Sequence, residues 1–327
     1  MPFRHRQDLL CAPSSTDQPF QNNGGRICMR TTKRFTPQVL GRFRRECRGE
    51  GTLADYLPWH RVGRGDPASK GRSHLVPWRD RQRELLSDLE WVTFIFVTMM
   101  SDQVLDVREQ FPLALNDRDH ELRAYDCEAG ISHPPGTLAL AKAMQIKHPR
   151  ITGVDAIDHW VMTTDLLVTI RDDQGRPSLL AVSCKFDDQA KLKRPHELLS
   201  LERAYWQARQ VPWLLITPAL FDESVTLTLR RLNCWVFESQ CSVEDRQIAA
   251  EIAFRCVGRS LTVLLQQLQH RFGSMERAQI ACFQSVWAGE IPLDLRRTWR
   301  NDAPIKLLTP SEFWALNPVA SRRTSWI

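Results

Sequence analysis

Thr163-Thr164-Asp165-Leu166-Leu167-Val168 and Leu180-Ala181-Val182-Ser183-Cys184-Lys185 read as two neighbouring β-strands, one carrying an acid and the other a lysine. Side chains alternate along a strand, so Leu166, Val168 and Ile170 share one face while Asp165 points to the other. Ser183 and Lys185 likewise share a face, with Val182 and Cys184 opposite. Between the strands, Asp172-Asp173-Gln174-Gly175-Arg176-Pro177 holds the residue types that favour a turn, which makes an antiparallel hairpin the simplest connection. An acid and a lysine projected side by side from a rigid hairpin are a framework suited to divalent-metal nuclease chemistry.

Phosphodiester hydrolysis needs charge stabilised on the attacking and leaving oxygens, and hard Mg²⁺ takes carboxylate and carbonyl oxygen for that task. Asp165 is the candidate central ligand, the backbone carbonyl of Cys184 a second, and Glu90 from a long upstream helix a third. Mn²⁺ is the expected substitute metal. Lys185 would orient or activate the water and offset negative charge. Glu202, on the flank of the following helix beside its buried face, is placed to reach a metal or to steady Lys185. Each residue alone also has an ordinary reading: a strand Asp that caps a loop, a lysine on an exposed edge, a solvated helix acid. Glu84 and Asp88 compete with Glu90 on the same stretch. The chain has no H-x-x-x-H helix, no G-x-x-x-x-G-K loop and no C-x-x-C pair among its nine cysteines, which argues against a zinc ribbon and a phosphate-binding loop.

With 327 residues the chain can bury a full core and still build a second domain. The apolar run Phe94-Ile95-Phe96-Val97, with Met99 and Met100, is far too short to span a bilayer, and no signal sequence opens the chain, so a cytoplasmic protein with no membrane partner is expected. The formal net charge is +6, and the excess is uneven: Arg30, Lys33, Arg34, Arg42, Arg44, Arg45, Arg48, Arg61, Arg64, Lys70, Arg72, Arg79, Arg81 and Arg83 crowd one segment. Such a field attracts a polyanion through counterion release, which favours DNA over a merely solvated basic surface.

In chain order, residues 1–28 read as a disordered leader, with Met29 as an alternative start, and 29–78 as a basic arm too broken by Gly and Pro for a compact core, laid on the next domain or on DNA. It holds one predicted helix, Pro37 to Arg48. Residues 79–238 form the predicted α/β catalytic domain. There, Leu85, Leu89, Val92, Phe96 and Met99 predict a helix over Asp80–Met100, and a strand over Val104–Val107 runs on towards Leu113. Further helices are predicted over Thr137–Lys147 and His196–Gln210, a buried strand over Trp213–Thr217, and either form over Glu223–Leu232. From 239 to 327 the character changes. Ser242, Ser260 and Ser274 read as N-caps of helices over 243–257, 261–272 and 275–288. Ile291–Leu308 alternates as a small hairpin with Arg296, Arg297, Arg300 and Lys306. Three helices and a basic hairpin predict a winged-helix-like module; the plainer alternative is a helical docking domain.

Several blocks occur in a telling order: Gly71-Arg72-Ser73, Glu84-Leu85-Leu86-Ser87-Asp88-Leu89-Glu90, Arg108-Glu109-Gln110-Phe111-Pro112-Leu113, Val161-Met162-Thr163-Thr164-Asp165 and the later Lys185. In this the stretch from about Arg48 to Phe237 resembles the TnsA family, the endonuclease subunit of heteromeric, TnsA/TnsB-type transposases. The resemblance implies a restriction-endonuclease-like mixed sheet flanked by helices, followed by an α-helical, winged-helix-like C-terminal domain. By motif, Glu90, Asp165 and Lys185 match the family's catalytic acid, acid and lysine, and Glu202 an acid in the next helix. Ser183 departs, because family members usually carry Gln there, and serine would hold a metal only through water. The resemblance further implies cleavage of the 5′ strands at transposon ends, a partner integrase-type transposase that cuts and joins the 3′ strands, and an ATPase regulator. Arg42, Arg44, Arg45, Arg72, Arg296 and Arg297 are the expected DNA contacts. The alternatives are a non-catalytic bridging subunit and a free-standing restriction-like nuclease.

Overall fold

Thr36 accepts the Val39 amide at 3.3 Å, and with proline at the first helical positions it starts α1, Pro37–Arg45. The computed structural model describes residues 35–63, 66, 72–127, 133–153, 156–237, 239, 241–297 and 300–326. The expected leader, Met29, and Arg30, Lys33, Arg34, Arg64 and Lys70 lie outside the described residues. Leu40 and Phe43 of α1 are fully buried against Trp59 and Val161, so this part of the basic segment has a small apolar core that the sequence reading did not expect. The helix stops three residues short of Arg48. Cys47 turns left-handed (φ 53°), and Arg48 folds inward to pair with Asp66 at 2.5 Å. Gly49, at φ 83°, lies where a Cβ would overlap the Pro112 ring, which lets the segment run close over the sheet end.

β1 (His74–Trp78) and β2 (Arg81–Leu85) then pair antiparallel, with Val76 opposite Arg83. This hairpin straddles the boundary expected at 78/79 and replaces the first turns of the helix expected from Asp80. The reason is a period of two: Val76 and Trp78, and Arg83 and Leu85, alternate inward, so Leu85 reaches the core as a strand residue. The helix itself, α2 (Asp88–Thr98), starts only where Ser87 Oγ caps the Glu90 amide at 3.1 Å. From Arg79, Arg81 and Arg83, guanidinium groups lie on backbone carbonyls of the next strand: Leu105 at 2.9 Å, and Val107 at 2.9 and 2.8 Å.

That strand is β3 (Val104–Pro112). After it come α3 (Thr137–Ala143), the short antiparallel pair β4 (Arg150–Thr152) and β5 (Ile157–His159), β6 (Thr163–Arg171) and β7 (Pro177–Cys184). Two helices, α4 (Asp187–Ala190) and α5 (Lys193–Ala208), lead to β8 (Trp213–Ile216), and α6 (Glu223–Phe237) settles the ambiguous stretch as helix. The main sheet has the order β3-β6-β7-β8, with the first two pairings antiparallel and β7–β8 parallel. The expected hairpin is thus formed by β6 and β7, with Leu166 opposite Val182.

Each face of the sheet buries an apolar layer. Leu166, Val168, Ile170, Leu180 and Val182 face α2 and α6, where Phe94, Phe96, Val225 and Leu229 meet them. Leu167, Leu179, Ala181 and Leu215 face α5 with its Leu199, Tyr205 and Trp206. Full burial of side chains of this size contributes roughly 1.5–3 kcal/mol each.

The three predicted C-terminal helices form as α7 (Val243–Arg255), α8 (Leu261–Phe272) and α9 (Met275–Trp287), each capped by its predicted serine. Their apolar side chains join the α2–α6 layer in one continuous core, so it crosses the boundary expected at 238/239. The hairpin expected over Ile291–Leu308 is not formed among the described residues. A 3-10 turn over Leu295–Arg297 and isolated antiparallel bridges, Leu293 with Leu307 and Ser260 with Pro304, take its place. Pro292 and Pro304 have no amide hydrogen to give a ladder. After α10 (Pro310–Ala315), Asn317 donates to the Phe96 carbonyl at 2.8 Å, and the chain returns to β8. There the Ser325 amide donates to Leu215 O at 2.9 Å and the Leu215 amide to Thr324 Oγ at 3.0 Å, while Trp326 meets Trp213 edge-on. Among the described residues no helix is long and apolar enough to cross a membrane.

Candidate active site

The start of β6, the end of β7 and the first turn of α2 converge at one end of the sheet. The Ser87 cap fixes Glu90 in that first turn, and the carboxylate folds back to accept the Leu86 amide at 2.8 Å and the Ser87 hydroxyl at 3.2 Å. Its two competitors are engaged elsewhere: Glu84 pairs with Arg61 at 2.8 Å and Asp88 with His74 at 2.6 Å. Asp165 Oδ2 accepts the Cys184 amide across the hairpin at 2.7 Å, and Lys185 Nζ stands 3.8 Å from the same oxygen. The predicted acid, acid and lysine are therefore brought together.

The bridge between the acids is Gln110, which the sequence reading did not single out. Its amide nitrogen donates to Glu90 Oε2 at 3.2 Å and to Asp165 Oδ1 at 3.3 Å, and its oxygen accepts the Thr163 hydroxyl at 3.1 Å. Gln110 has a left-handed backbone (φ 49°) inside a strand, a conformation uncommon for a non-glycine residue. It breaks the alternation of β3: Val107 packs in the α2 layer, while Phe111, four residues on, packs in the α5 layer. The sequence offers only the polar run Arg108-Glu109-Gln110 before Phe111, which does not single out Gln110.

Glu202 approaches from α5. One of its oxygens accepts both Thr164 Oγ at 2.7 Å and Ser183 Oγ at 2.5 Å, and Trp213 Nε1 donates to Ser183 at 3.1 Å. The hydroxyl of Ser183 is thus committed to Glu202 and Trp213. Cys184 contributes through its backbone, since its thiol turns to Thr93 at 3.3 Å. Beside Lys185 opens a cavity of about 520 Å³ lined by Trp160, Met162, Thr163, Leu198 and Glu202 among others.

Electrostatically the site is short of cations. Burial, and then the Asp165 charge, push the Glu90 carboxyl up to about 8, and the same two causes push Glu202 up to about 7. The Asp165 carboxylate in turn holds the Lys185 ammonium above the usual lysine range. Among the described residues no cluster of three or more His, Cys, Asp or Glu side chains forms a metal cage. Two converging carboxylates with a nearby carbonyl still fit Mg²⁺, which keeps much of its water and takes one or two protein carboxylates. The observation behind that fit is two buried acids sharing one neutral amide donor, a pair whose joint ionisation a bound cation would favour.

The basic residues have varied settings. Arg42 pairs with Asp66 at 2.6 Å and Arg44 with Asp158 at 3.0 Å, while Arg45 and Arg72 are exposed. Arg296 pairs with Asp294 at 2.7 Å, and Arg297 donates to the Arg300 and Ala303 carbonyls at 2.6 Å, a role in holding its own loop.

Residues 101–218, which include Gln110, Asp165, Ser183, Lys185 and Glu202, match the model of the TnsA-like endonuclease N-terminal family. The chain is 34% identical over 220 residues to the transposon Tn7 transposition protein TnsA of Escherichia coli, covering 67% of each chain. The mixed sheet with helices on both faces fits a restriction-endonuclease-like domain.

Proposed function

The chain belongs to the TnsA family, and from that premise we propose that it is a metal-dependent DNA endonuclease of transposition that cuts the 5′ strands at transposon ends. The observation that carries this reading is the meeting of Glu90 and Asp165 on the Gln110 amide with Lys185 3.8 Å from Asp165. Mg²⁺, or Mn²⁺ in its place, held by Glu90, Asp165 and the Cys184 carbonyl, would supply charge stabilisation at the attacking and leaving oxygens. Lys185, kept protonated by Asp165, acts as a cation that orients the water and holds the scissile phosphate, rather than as a base. Glu202 steadies Lys185 from the α5 side, and Ser183 steadies Glu202.

The proposal extends to assembly. A partner integrase-type transposase would cut and join the 3′ strands and supply most of the sequence recognition, with an ATPase regulator bound to the complex in the bacterial cytoplasm. Arg42, Arg44, Arg45, Arg72, Arg296 and Arg297 would contact DNA phosphates, and α7–α9 would serve as the winged-helix-like module, with the loop over 291–308 in place of a wing.

A second reading, a non-catalytic bridging subunit, is favoured by one observation: Ser183 stands where the family usually carries Gln, and its hydroxyl is committed to Glu202. Strand-resolved cleavage of labelled transposon-end DNA in Mg²⁺ or Mn²⁺, with and without the partner transposase, separates the readings. The expected result is 5′-strand nicking that needs metal and partner and is lost in Asp165→Ala. DNA binding without nicking would establish the bridging subunit, and nicking without a partner the free-standing nuclease.

A further inference from the structure

We infer that Gln110 is a positioning residue that sets the separation of Glu90 and Asp165 for metal capture, an inference that rests on the metal-nuclease reading above. A carboxamide has two hydrogens on one nitrogen and an acceptor on the other side. Here both ends are used: the nitrogen lies 3.2 Å from Glu90 and 3.3 Å from Asp165, and the oxygen takes the Thr163 hydroxyl. The acceptor carboxylate of Asp165 turns the nitrogen end towards the acids, and the Thr163 hydroxyl, able to donate or accept, then donates to the oxygen. Two carboxyl groups brought into one buried corner disfavour each other's ionisation. A neutral two-hydrogen donor between them is a device that holds both in place while no metal is bound, without adding a charge that would compete with one.

The backbone supports the same assignment. Gln110 is 3% exposed and sits at φ 49°, and its carbonyl accepts the Trp59 amide at 3.3 Å. Along an unbroken strand, Val107 and Phe111 would pack on the same side; the left-handed residue between them puts them in opposite layers. The side chain of Gln110 therefore emerges at the point where β3 changes faces, level with Asp165 on β6 and within reach of the first turn of α2. Glycine would take this backbone conformation more readily than glutamine. The presence of glutamine is accounted for by what its side chain holds.

This separates the side-chain role from the backbone role. Gln110→Gly removes the amide while easing the backbone, and Gln110→Met keeps the length and removes only the polar end. Mn²⁺ binding to the DNA-free protein, followed by electron paramagnetic resonance or calorimetry, is the readout, with Asp165→Ala as the reference that lacks the site. The expected result is binding to the unaltered protein that Asp165→Ala abolishes and that both Gln110 variants weaken roughly tenfold or more, as loss of a residue orienting a metal ligand does. Gln110→Gly should melt within about a few degrees of the unaltered protein, and in steady state both variants should raise the metal needed for half-maximal cleavage without raising KM for DNA. Thr163→Val, which frees the amide to rotate, should weaken Mn²⁺ in the same direction by less. Unaltered Mn²⁺ affinity in Gln110→Met or in folded Gln110→Gly overturns the role of Gln110 and leaves the nuclease reading standing. Absence of Asp165-dependent Mn²⁺ binding in the unaltered protein brings down both.

Discussion

Asp66, Asp106, Glu109 and Glu121 are as deeply buried as Glu90, Asp165 and Glu202, each no more than 8% exposed, yet the two groups have different company. Each of the first four has an arginine: Arg48 on Asp66 and Arg81 on Glu109 at 2.5 Å, Arg209 on Glu121 at 2.8 Å, and Arg83 3.6 Å from Asp106. The other three share Lys185, which is partly exposed and stands 3.8 Å from Asp165. Burial alone therefore does not set the candidate site acids apart. A deficit of matching cations does, and a deficit of that kind is one that a metal ion can fill.

The sharpest way to break the contrast is to remove one acid of each kind. Asp165→Ala should lower cleavage by several kcal/mol of transition-state stabilisation, roughly a thousandfold or more, while the protein stays folded in circular dichroism and thermal melts. An active Asp165→Ala would sink the site. On the arginine-matched side the loss falls on stability: Arg209→Ala strands Glu121 in the core and should cost about 3–5 kcal/mol in denaturant unfolding. A cost under about 1 kcal/mol would show that the pairing is incidental.

The cation deficit also has a sign in pH. The folded protein holds the Glu90 carboxyl at about 8, above its ordinary 4.5, so between these values the folded state binds more protons than the unfolded one. Stability of the metal-free protein should therefore be fully present below about pH 4.5 as far as this group is concerned, and fall by at most a few kcal/mol as pH rises towards about 8. Urea unfolding across that range is the measurement, and saturating Mg²⁺ should flatten the fall, since ion binding favours the charged carboxylate. The smallest effect sharpens the contrast further. Glu90→Gln should raise metal-free stability near pH 8 by about 1 kcal/mol and remove the upper part of the fall, while abolishing cleavage. Destabilisation in Glu90→Gln would mean that its hydrogen bonds outweigh its charge.

Much of this is legible in the sequence where local rules and tertiary packing agree. The β6–β7 hairpin, with apolar alternation on both strands and Asp172 to Pro177 between them, satisfies strand and turn rules at once, and it places Asp165 and Lys185 correctly. Ser242, Ser260 and Ser274 mark helix starts because a cap is a contact within a few residues. Leu85 misleads, since its spacing to Leu89 and Val92 suits a helix while its own strand pairs with His74 to Trp78, a partner that single-sequence spacing does not reveal. Gln110 is invisible for a deeper reason: its left-handed turn is imposed by what lies on either side of the sheet. The small core under Phe43 escapes because Val161 and Trp59 are distant in sequence, and among the described residues Ile291–Leu308 pairs through isolated bridges where Pro292 and Pro304 have no amide hydrogen to give.

The main sheet ends in β3 on one side and β8 on the other, and an open strand edge is a row of donors and acceptors ready to recruit any extended chain. Both borders here are occupied. Arginines 79, 81 and 83 lie on the outward carbonyls of Leu105 and Val107, and the segment Thr324–Trp326 takes both backbone groups of Leu215. The sheet is therefore sealed against self-templated growth at both of these sites. Closure of this kind leaves association to side-chain surfaces, where shape and charge select the partner, and discourages strand exchange between neighbouring copies.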